Sequence, residues 1–290
     1  MGKVAFVLGG GGQLGAHEVG MLRALLERGI APDLVVGTSI GAINGAAVAS
    51  EPTLAAVERL TEVWQRIDQS SAFDGSILGR VATLARTRTH LQGNEGLRAM
   101  LEASLPAGRI EDMPVEFQCV AASIEDAAER WFADGPLIDA VMASCAVPGI
   151  LPPYAIDGVH YLDGGIVNSI PVGRAVELGA STVYVLHVGR LDRPLTPPRW
   201  PWEVALVAFE IARRHRFLGD LAALPDEVTT HVLPTGQSSP PRYNDLSQLR
   251  YRDTSRIRER IERAHEAAAR YLADRGLGSD TPDGRGSDAP

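Results

Sequence analysis

Two glycine-rich turns near the N-terminus constrain the fold of this 290-residue chain more than any other feature. The first turn, residues 9–15, follows the apolar run 4–8, and the second turn, residues 37–41, follows the apolar run 34–36. Each stretch has the order strand, tight turn and helix, because apolar residues at helical spacing come directly afterwards. Short connections in a β-α-β-α order favour a parallel sheet. The sequence therefore predicts an α/β fold with a mostly parallel central sheet.

The residues of the two turns indicate a chemistry. In the second turn Gly37 and Gly41 flank Ser39 in the pattern G-x-S-x-G. Between a strand and a helix this pattern is typical of a nucleophile elbow, where glycines let the backbone turn sharply and expose the serine hydroxyl. The first turn is a run of glycines whose free backbone N–H groups suit a developing oxyanion. Together the turns outline a serine hydrolase.

Composition excludes several other classes of protein. The net charge of −8 gives no reason to expect a nucleic-acid partner. Cys119 and Cys145 lie in apolar contexts and are interpreted as reduced core residues, which fits a reducing compartment. The N-terminus lacks the features of a signal peptide, and no apolar run approaches the roughly 18 residues that cross a bilayer. We therefore expect a cytoplasmic protein that makes at most peripheral contact with a membrane.

The chain is predicted to form one catalytic domain over residues 1–275. A motif-bearing core, residues 4–190, is followed by an extension of helices and a strand, residues 191–275. Residues 276–290 are rich in Gly, Asp, Ser and Pro and predict a disordered tail. The periodic pattern weakens over residues 68–89, which we interpret as an insertion or a lid-like segment. The oligomeric state stays open.

Two further features bear on the site and its surroundings. Residues 154–162 carry an Asp-Gly dipeptide at their centre, which predicts a two-residue β-hairpin that ends on Asp163. Trp200 and Trp202 offer either a lipid contact or buried packing, and packing is the favoured interpretation.

Three motifs in this order resemble those of the patatin-like phospholipase family, of the bacterial type: Gly10-x-Gly12-x-x-Gly15, Gly37-x-Ser39-x-Gly41 and Asp163-Gly164-Gly165. The resemblance covers about residues 4–190. It implies a three-layer α/β/α sandwich and a lipid acyl hydrolase of the phospholipase A or lysophospholipase kind. Each motif alone is common by chance, whereas three in order at these spacings are specific.

The resemblance also implies a serine–aspartate dyad rather than a triad. Ser39 would attack an acyl carbonyl and Asp163 would accept its proton. A serine hydroxyl needs such a base, and burial would raise the basicity of an aspartate, whose reference pKa is about 3.9. The implied oxyanion donors are Gly10, Gly11, Gly12 and Gly15, and the implied turn glycines are Gly37, Gly41, Gly164 and Gly165. No metal and no cofactor are expected, because the dyad needs neither.

Two positions depart from the family pattern. Leu14 stands where the family usually has Arg or Lys before the last glycine of the first motif, and Ser169 stands where a second asparagine is frequent. A cationic side chain at position 14 would help to orient the loop or attract anionic head groups. Leu14 leaves the backbone amides of the loop intact.

Alternatives from other classes stay open at this stage. The same dyad would serve an esterase or thioesterase acting on a non-membrane acyl substrate. The pattern G-x-G-x-x-G is also a dinucleotide fingerprint, which would make the chain a nucleotide-binding protein without hydrolase activity. That function requires an acidic residue at the end of the second strand, yet Ser39 stands there and Asp33 lies at the strand's start.

A histidine-based triad is the remaining alternative for the chemistry. Such enzymes use the chain order Ser, Asp or Glu, then His. Four histidines follow Asp163: His187, His215, His231 and His265. Their contexts are an apolar strand, an arginine-rich helix, a second strand and a charged helix, and none favours a general base. The sequence therefore predicts that no histidine is catalytic.

Overall fold

The computed structural model describes residues 2–66, 90–106, 108–188, 194–237 and 255–278. The predicted insertion at 68–89 lies outside these residues, and so does the predicted tail from residue 279 onward. Residues 276–278, the first of the predicted tail, belong to the described part of the chain. The amide of Leu277 donates to the Leu272 carbonyl at 3.0 Å, and the Leu277 carbonyl accepts from Arg28 Nε at 2.6 Å.

Strands and helices alternate through most of the described chain. The strands are β1 Lys3–Leu8, β2 Leu34–Thr38, β3 Glu116–Ser123, β4 Ala128–Phe132, β5 Tyr154–Ile156, β6 Val159–Asp163, β7 Ala180–Leu186 and β8 Thr229–Val232. The α-helices are α1 Ala16–Glu27, α2 Ile40–Ser50, α3 Leu54–Arg66, α4 Glu95–Ser104, α5 Leu137–Ser144, α6 Val172–Glu177, α7 Pro201–Ala222 and α8 Ser255–Asp274. The predicted hairpin is present as β5 and β6, which pair antiparallel.

All eight strands belong to one sheet, in the order β5-β6-β3-β2-β1-β7-β8, with β4 paired to β3 outside this order. The run β3-β2-β1-β7-β8 is parallel, and the pairings of β4, β5 and β6 are antiparallel. The predicted mostly parallel sheet is thus confirmed, with an antiparallel part near one edge. Because β1 and β2 are parallel and in register, Leu8 lies beside Gly37, and both glycine turns leave the sheet at the same edge.

Helices cover both faces of the sheet, which confirms the three-layer sandwich. Successive side chains of a strand point to opposite faces. In β1, Phe6 and Leu8 join a hydrophobic cluster with α1, α2, α3 and α8, whereas Ala5 and Val7 join a second cluster with α6 and α7. Beyond Lys3, β1 is therefore apolar from Val4 to Leu8, as expected for a strand of a parallel sheet that is buried on both sides.

The C-terminal extension contributes to the same sandwich. Its strand β8 pairs with β7, and α8 packs closely against α1 at Gly20. Helix α7 exposes several large apolar side chains, among them Val204, Ile211 and Leu218. Trp200 is 57% exposed, so the interpretation of this side chain as buried packing is wrong. The side chain of Trp202 is not among the described ones.

The close packing of α1 on α8 depends on the absence of a side chain at Gly20, so a larger residue there should destabilise the protein. A Cβ at position 20 would lie 2.1 Å from the Ile261 carbonyl oxygen of α8. We expect Gly20→Ala to lower the free energy of unfolding by about 1–3 kcal/mol, because two backbones must move apart. Urea denaturation followed by circular dichroism measures the change.

Gly173→Ala in α6 is the matched control. The nearest atom to its added Cβ would be 3.6 Å away, which is ordinary contact. Alanine is the better helix former, so this variant should be neutral or up to about 1 kcal/mol more stable. Equal destabilisation by both substitutions would contradict the steric explanation.

Candidate active site

Ser39 lies between the last residue of β2 and the first residue of α2. Its backbone has φ 56° and ψ −124°, a combination that L-residues with a side chain rarely adopt. Such backbone strain is of order 1–3 kcal/mol and persists only where the surroundings enforce it. The predicted elbow is therefore present as a sharp, strained turn that carries the serine.

The two glycines of this turn are required by close backbone packing. A Cβ at Gly41 would lie 2.3 Å from the Leu8 carbonyl oxygen, because α2 starts directly against the end of β1. A Cβ at Gly37 would lie 2.6 Å from the Gly41 carbonyl oxygen. Larger residues at either position would push α2 away from the sheet and relax the turn at Ser39.

The structure brings Ser39 and Asp163 together, although 124 positions separate them in the chain. The Ser39 hydroxyl donates a hydrogen bond of 2.5 Å to Oδ2 of Asp163. Asp163 ends β6 and is 7% exposed. Its other oxygen, Oδ1, accepts the backbone N–H of Gly165 at 2.7 Å, which sets the orientation of the carboxyl group.

Burial controls the protonation of Asp163. Desolvation raises the pKa of this carboxyl to about 6, while the hydrogen bonds from Ser39 and Gly165 oppose the shift. The ionised form loses hydration in the interior, and only the two donors compensate it. A carboxylate with a pKa of about 6 is still ionised at neutral pH and is a stronger base than an ordinary aspartate.

A buried serine on another element stabilises the elbow. The backbone N–H of Ser39 donates to Oγ of Ser144 at 2.9 Å, and Ser144 is fully buried at the end of α5. Sequence reasoning gave this residue no role. Its one signal was that the pair Ala143-Ser144 falls where the family places such a pair, but the sequence does not say which backbone group the hydroxyl meets.

The glycine loop lies beside Ser39, and its amides differ in what they bind. The N–H of Gly10 donates to the Ser169 carbonyl at 2.9 Å, so this predicted oxyanion donor is already engaged and holds the loop in place. Within the described residues the amides of Gly11 and Gly12 have no such partner. Gly15 packs against Ile40 at the start of α2. Of the four predicted donors, Gly11 and Gly12 are the candidates that the geometry leaves.

The segment after Asp163 holds the other parts of the site in register. Thr38 directly precedes Ser39 in the chain, and its hydroxyl donates to the Asn168 carbonyl at 2.8 Å. The next carbonyl, that of Ser169, accepts the Gly10 amide. Gly164 lets this segment start against β3, because a Cβ there would lie 2.1 Å from the Val120 carbonyl oxygen.

Leu14 lies where the family pattern usually has a cation. Its side chain is buried, and its carbonyl contacts Nδ1 of His17 at 2.7 Å. Among the residues that the structure describes, no group of three His, Cys, Asp or Glu side chains is arranged to hold a metal ion.

A serine on a strained strand–turn–helix, bonded to a buried carboxylate and adjoining a glycine loop, is an arrangement typical of serine hydrolases. A family model described as Patatin-like phospholipase matches residues 6–176, more than half of the chain. The chain therefore belongs to the patatin-like phospholipase family.

Individual relatives agree with this assignment. Patatin-like phospholipase domain-containing protein ZK370.4 of Caenorhabditis elegans is 35% identical over 191 residues, and Patatin-like phospholipase domain-containing protein 6 of Homo sapiens is 34% identical over 191 residues. Each match covers 65% of this chain and 14% of the relative. Lysophospholipase nte1 of Aspergillus terreus is 32% identical over 191 residues, which are 66% of this chain and 12% of that protein. The chain thus matches only a small part of these relatives.

The solved structures include one distant likeness. The crystal structure of VipD from Legionella pneumophila has a TM-score of 0.43 and 13% sequence identity, over 94% of this chain and 67% of that one. This likeness is too distant to support a conclusion about the site.

The raised pKa of Asp163 predicts how activity depends on pH. If the carboxylate is the base, ester hydrolysis should be constant above about pH 7 and should fall as the pH drops through about 6, where Asp163 becomes protonated. The measurement is kcat/KM for a p-nitrophenyl ester between pH 4.5 and 8. A profile that stays flat down to pH 4.5 would contradict the assignment of Asp163 as a base with this pKa.

Proposed function

We propose that this protein is a serine acyl hydrolase that cleaves carboxylic esters of lipids, with Ser39 as nucleophile and Asp163 as general base. The observation that carries the proposal is the 2.5 Å hydrogen bond between Ser39 Oγ and Asp163 Oδ2, at a serine with φ 56°. A serine hydroxyl becomes a useful nucleophile when a positioned base takes its proton. Here the base is in place before substrate arrives.

The reaction proceeds in two acyl transfers. Ser39 Oγ attacks the ester carbonyl carbon as its proton passes to Oδ2 of Asp163, and a tetrahedral intermediate forms. Collapse of this intermediate breaks the bond to the alcohol oxygen, which takes the proton from Asp163 and leaves. Water then attacks the acyl-enzyme while Asp163 accepts a proton from it. The acid product leaves and Ser39 recovers its hydrogen.

The amides of Gly11 and Gly12 stabilise the negative oxygen of the tetrahedral intermediate. They are the glycine-loop donors without a partner within the described residues, and the loop lies next to Ser39. Donors fixed in advance are each worth about 2.7–4 kcal/mol of transition-state stabilisation in such sites. The hydrogen bond from Gly10 to Ser169 serves to hold the loop rather than the substrate.

The surroundings of the pair favour an acyl chain as substrate. Ile166 and Phe209 are about two-fifths exposed, 40% and 42%, on elements that meet beside Asp163. Phe209 lies close to Gly165, the residue whose amide orients the Asp163 carboxyl. Exposed apolar side chains near a site are typical of lipid-binding or partner-binding surfaces. Relatives whose names contain phospholipase and lysophospholipase support the same class of substrate.

Contact with a lipid surface would be peripheral in this proposal. None of the described helices combines the length and the apolar composition needed to span a bilayer. An esterase or thioesterase on a non-membrane acyl substrate is the nearest alternative, because it would use the same two residues.

Dinucleotide binding is the alternative that the geometry disfavours. Asp33 is the acidic residue nearest β2, and its Oδ2 accepts the Val4 amide at 2.8 Å at the edge of the sheet opposite the glycine loop. It lies too far along the strand to reach a ribose at the loop.

Removing either member of the pair should abolish hydrolysis. Ser39→Ala eliminates the nucleophile, so turnover and irreversible labelling by a fluorophosphonate should both disappear. Asp163→Asn keeps the shape of the side chain but removes the proton acceptor, so kcat should fall by about 10²–10⁴-fold. Ser50→Ala is the control, because Ser50 ends α2, the helix that directly follows Ser39, and its hydroxyl donates to the Ala46 carbonyl within that helix. Normal labelling of Ser39→Ala would contradict the assignment of the site.

A substrate panel separates the lipid hydrolase from its nearest alternative. Lysophospholipid, diacyl phospholipid, a p-nitrophenyl ester and an acyl thioester, all with the same short acyl chain, are compared. We expect the two phospholipids to be cleaved with the higher kcat/KM, in a reaction that requires Ser39. Preference for the thioester or the water-soluble ester would favour the alternative.

No histidine should act as the base. Each oxygen of Asp163 already accepts a hydrogen bond, from Ser39 and from Gly165. Alanine at His187, His215, His231 or His265 should therefore leave kcat/KM within about tenfold, less than a general base contributes. Thermal unfolding must accompany the kinetics, because His187 is buried. A folded variant as inactive as Ser39→Ala would replace the dyad by a triad.

A further inference from the structure

A buried acid that the proposed mechanism does not use lies behind the glycine loop. Glu18, in the first turn of α1, is fully buried. Its Oε2 accepts a hydrogen bond of 2.8 Å from Nδ2 of Asn44 in α2. Its Oε1 has no hydrogen-bond partner, and no ion pair to Glu18 occurs among the described residues. A carboxyl group in such a place needs a reason, because burying it without a cation is unfavourable.

Burial disfavours the ionised form of the Glu18 carboxyl group. Burial raises its pKa well above the ordinary value, and the hydrogen bond from Asn44 and the backbone of Gly9 oppose this shift less strongly. Gly9 is the residue that opens the glycine loop. Glu18 therefore interacts with α2 through Asn44, and the Gly9 backbone is close enough to influence its pKa.

Asn44 uses its whole side chain in the same network. Its Nδ2 donates to Glu18 and also, at 3.1 Å, to the carbonyl of Gly15. Its Oδ1 accepts the indole N–H of Trp64 from α3 at 3.0 Å. The network thus joins three helices to the 3₁₀ turn Gly12–Gly15, which begins with the oxyanion candidate Gly12 and directly follows the other candidate, Gly11.

We propose that Glu18 and Asn44 form a buried strut that sets the distance between the Ser39 hydroxyl and the amides of Gly11 and Gly12. This inference rests on the proposed function. Ser39 immediately precedes α2, so the helix that carries Asn44 also carries the nucleophile. Glu18 forms the other end of the strut and lies in α1, the helix that follows the glycine loop. Glu18 is a positioning residue here and does not touch the substrate.

The chemistry explains why a hydrogen-bond acceptor occupies this position. An apolar side chain at position 18 would leave one N–H of the buried Asn44 amide without an acceptor, and the amide would have to turn away from Gly15 or Trp64. Oxyanion donors act only within about 2.7–3.1 Å of the developing charge, so a shift of about 1 Å between loop and nucleophile reduces the rate by about 100-fold.

Two substitutions at position 18 test the strut through the kinetics of ester hydrolysis. In Glu18→Gln the amide oxygen still accepts from Asn44, so kcat should stay within about threefold of wild type. In Glu18→Leu the acceptor is lost, and kcat should fall by about 10- to 100-fold while KM changes less than about threefold. The rate of fluorophosphonate labelling should fall in parallel. A Glu18→Leu protein with wild-type kcat would overturn the inference.

Gly20→Ala provides the control for loss of stability. It lies in the same helix and disturbs the contact with α8 without touching Asn44. Gly20→Ala should keep the wild-type kcat when it is compared with a Glu18→Leu protein of similar thermal stability. An equal loss of kcat in Gly20→Ala would show that any displacement of α1 is enough to slow hydrolysis. That result would overturn the specific role of Glu18.

A second pair of variants serves if Glu18→Leu does not fold. Asn44→Asp preserves the oxygen that accepts from Trp64 but removes the donor to Glu18 and Gly15, so kcat should fall. Adding Glu18→Gln supplies a donor from the opposite side and should restore part of kcat. Full activity of Asn44→Asp, or no recovery in the double variant, would overturn the strut. Absence of any Ser39-dependent hydrolysis in wild type would instead overturn the proposed function, and the strut with it.

Discussion

The close approach of α2 to the end of β1 is the constraint from which the geometry of the site follows. A Cβ at Gly41 would lie 2.3 Å from the Leu8 carbonyl oxygen, so the helix starts almost in contact with the neighbouring strand. The chain can enter that helix only through a sharp turn, and Ser39 takes the strained conformation that the turn demands. The free-energy cost of this strain is offset by the surrounding packing and by the hydrogen bond from the Ser39 amide to Ser144.

In Asp163, burial bears directly on the proposed role as a base. Removing a carboxylate from water is unfavourable, and the protein compensates it with two donors, the Ser39 hydroxyl and the Gly165 amide. The compensation is incomplete, because the pKa still lies at about 6. That residual imbalance is what turns an ordinarily weak base into one suited to neutral pH. Glu18 accepts one hydrogen bond, from Asn44, and has no ion pair among the described residues, so burial raises its pKa well above the ordinary value.

Much of the fold and the identity of the proposed pair could be predicted from the sequence, because these depend on local signals. Strand, glycine turn and helix follow one another within a few residues, and the Asp-Gly dipeptide of the hairpin is equally local. Whether the Gly10 amide is free could not be predicted, since its partner is the carbonyl of Ser169, more than 150 positions away. The exposure of Trp200 was mispredicted for a related reason, because burial depends on neighbours that the local pattern does not contain.

The sequence by itself determined which residues are capable of chemistry and in which local turns they stand. The G-x-S-x-G pattern between an apolar run and a helical pattern predicts a tight strand-to-helix turn, and the Asp157-Gly158 dipeptide predicts the hairpin whose second strand ends on Asp163. Only the tertiary structure decided that Ser39 and Asp163 meet at 2.5 Å, that Gly11 and Gly12 keep their amides unpaired within the described residues, and that Glu18 reaches Asn44. The contacts from Ser39 to Asp163 and from Asn44 to Glu18 join elements that are separate in the chain, and their distances depend on how whole helices and strands pack.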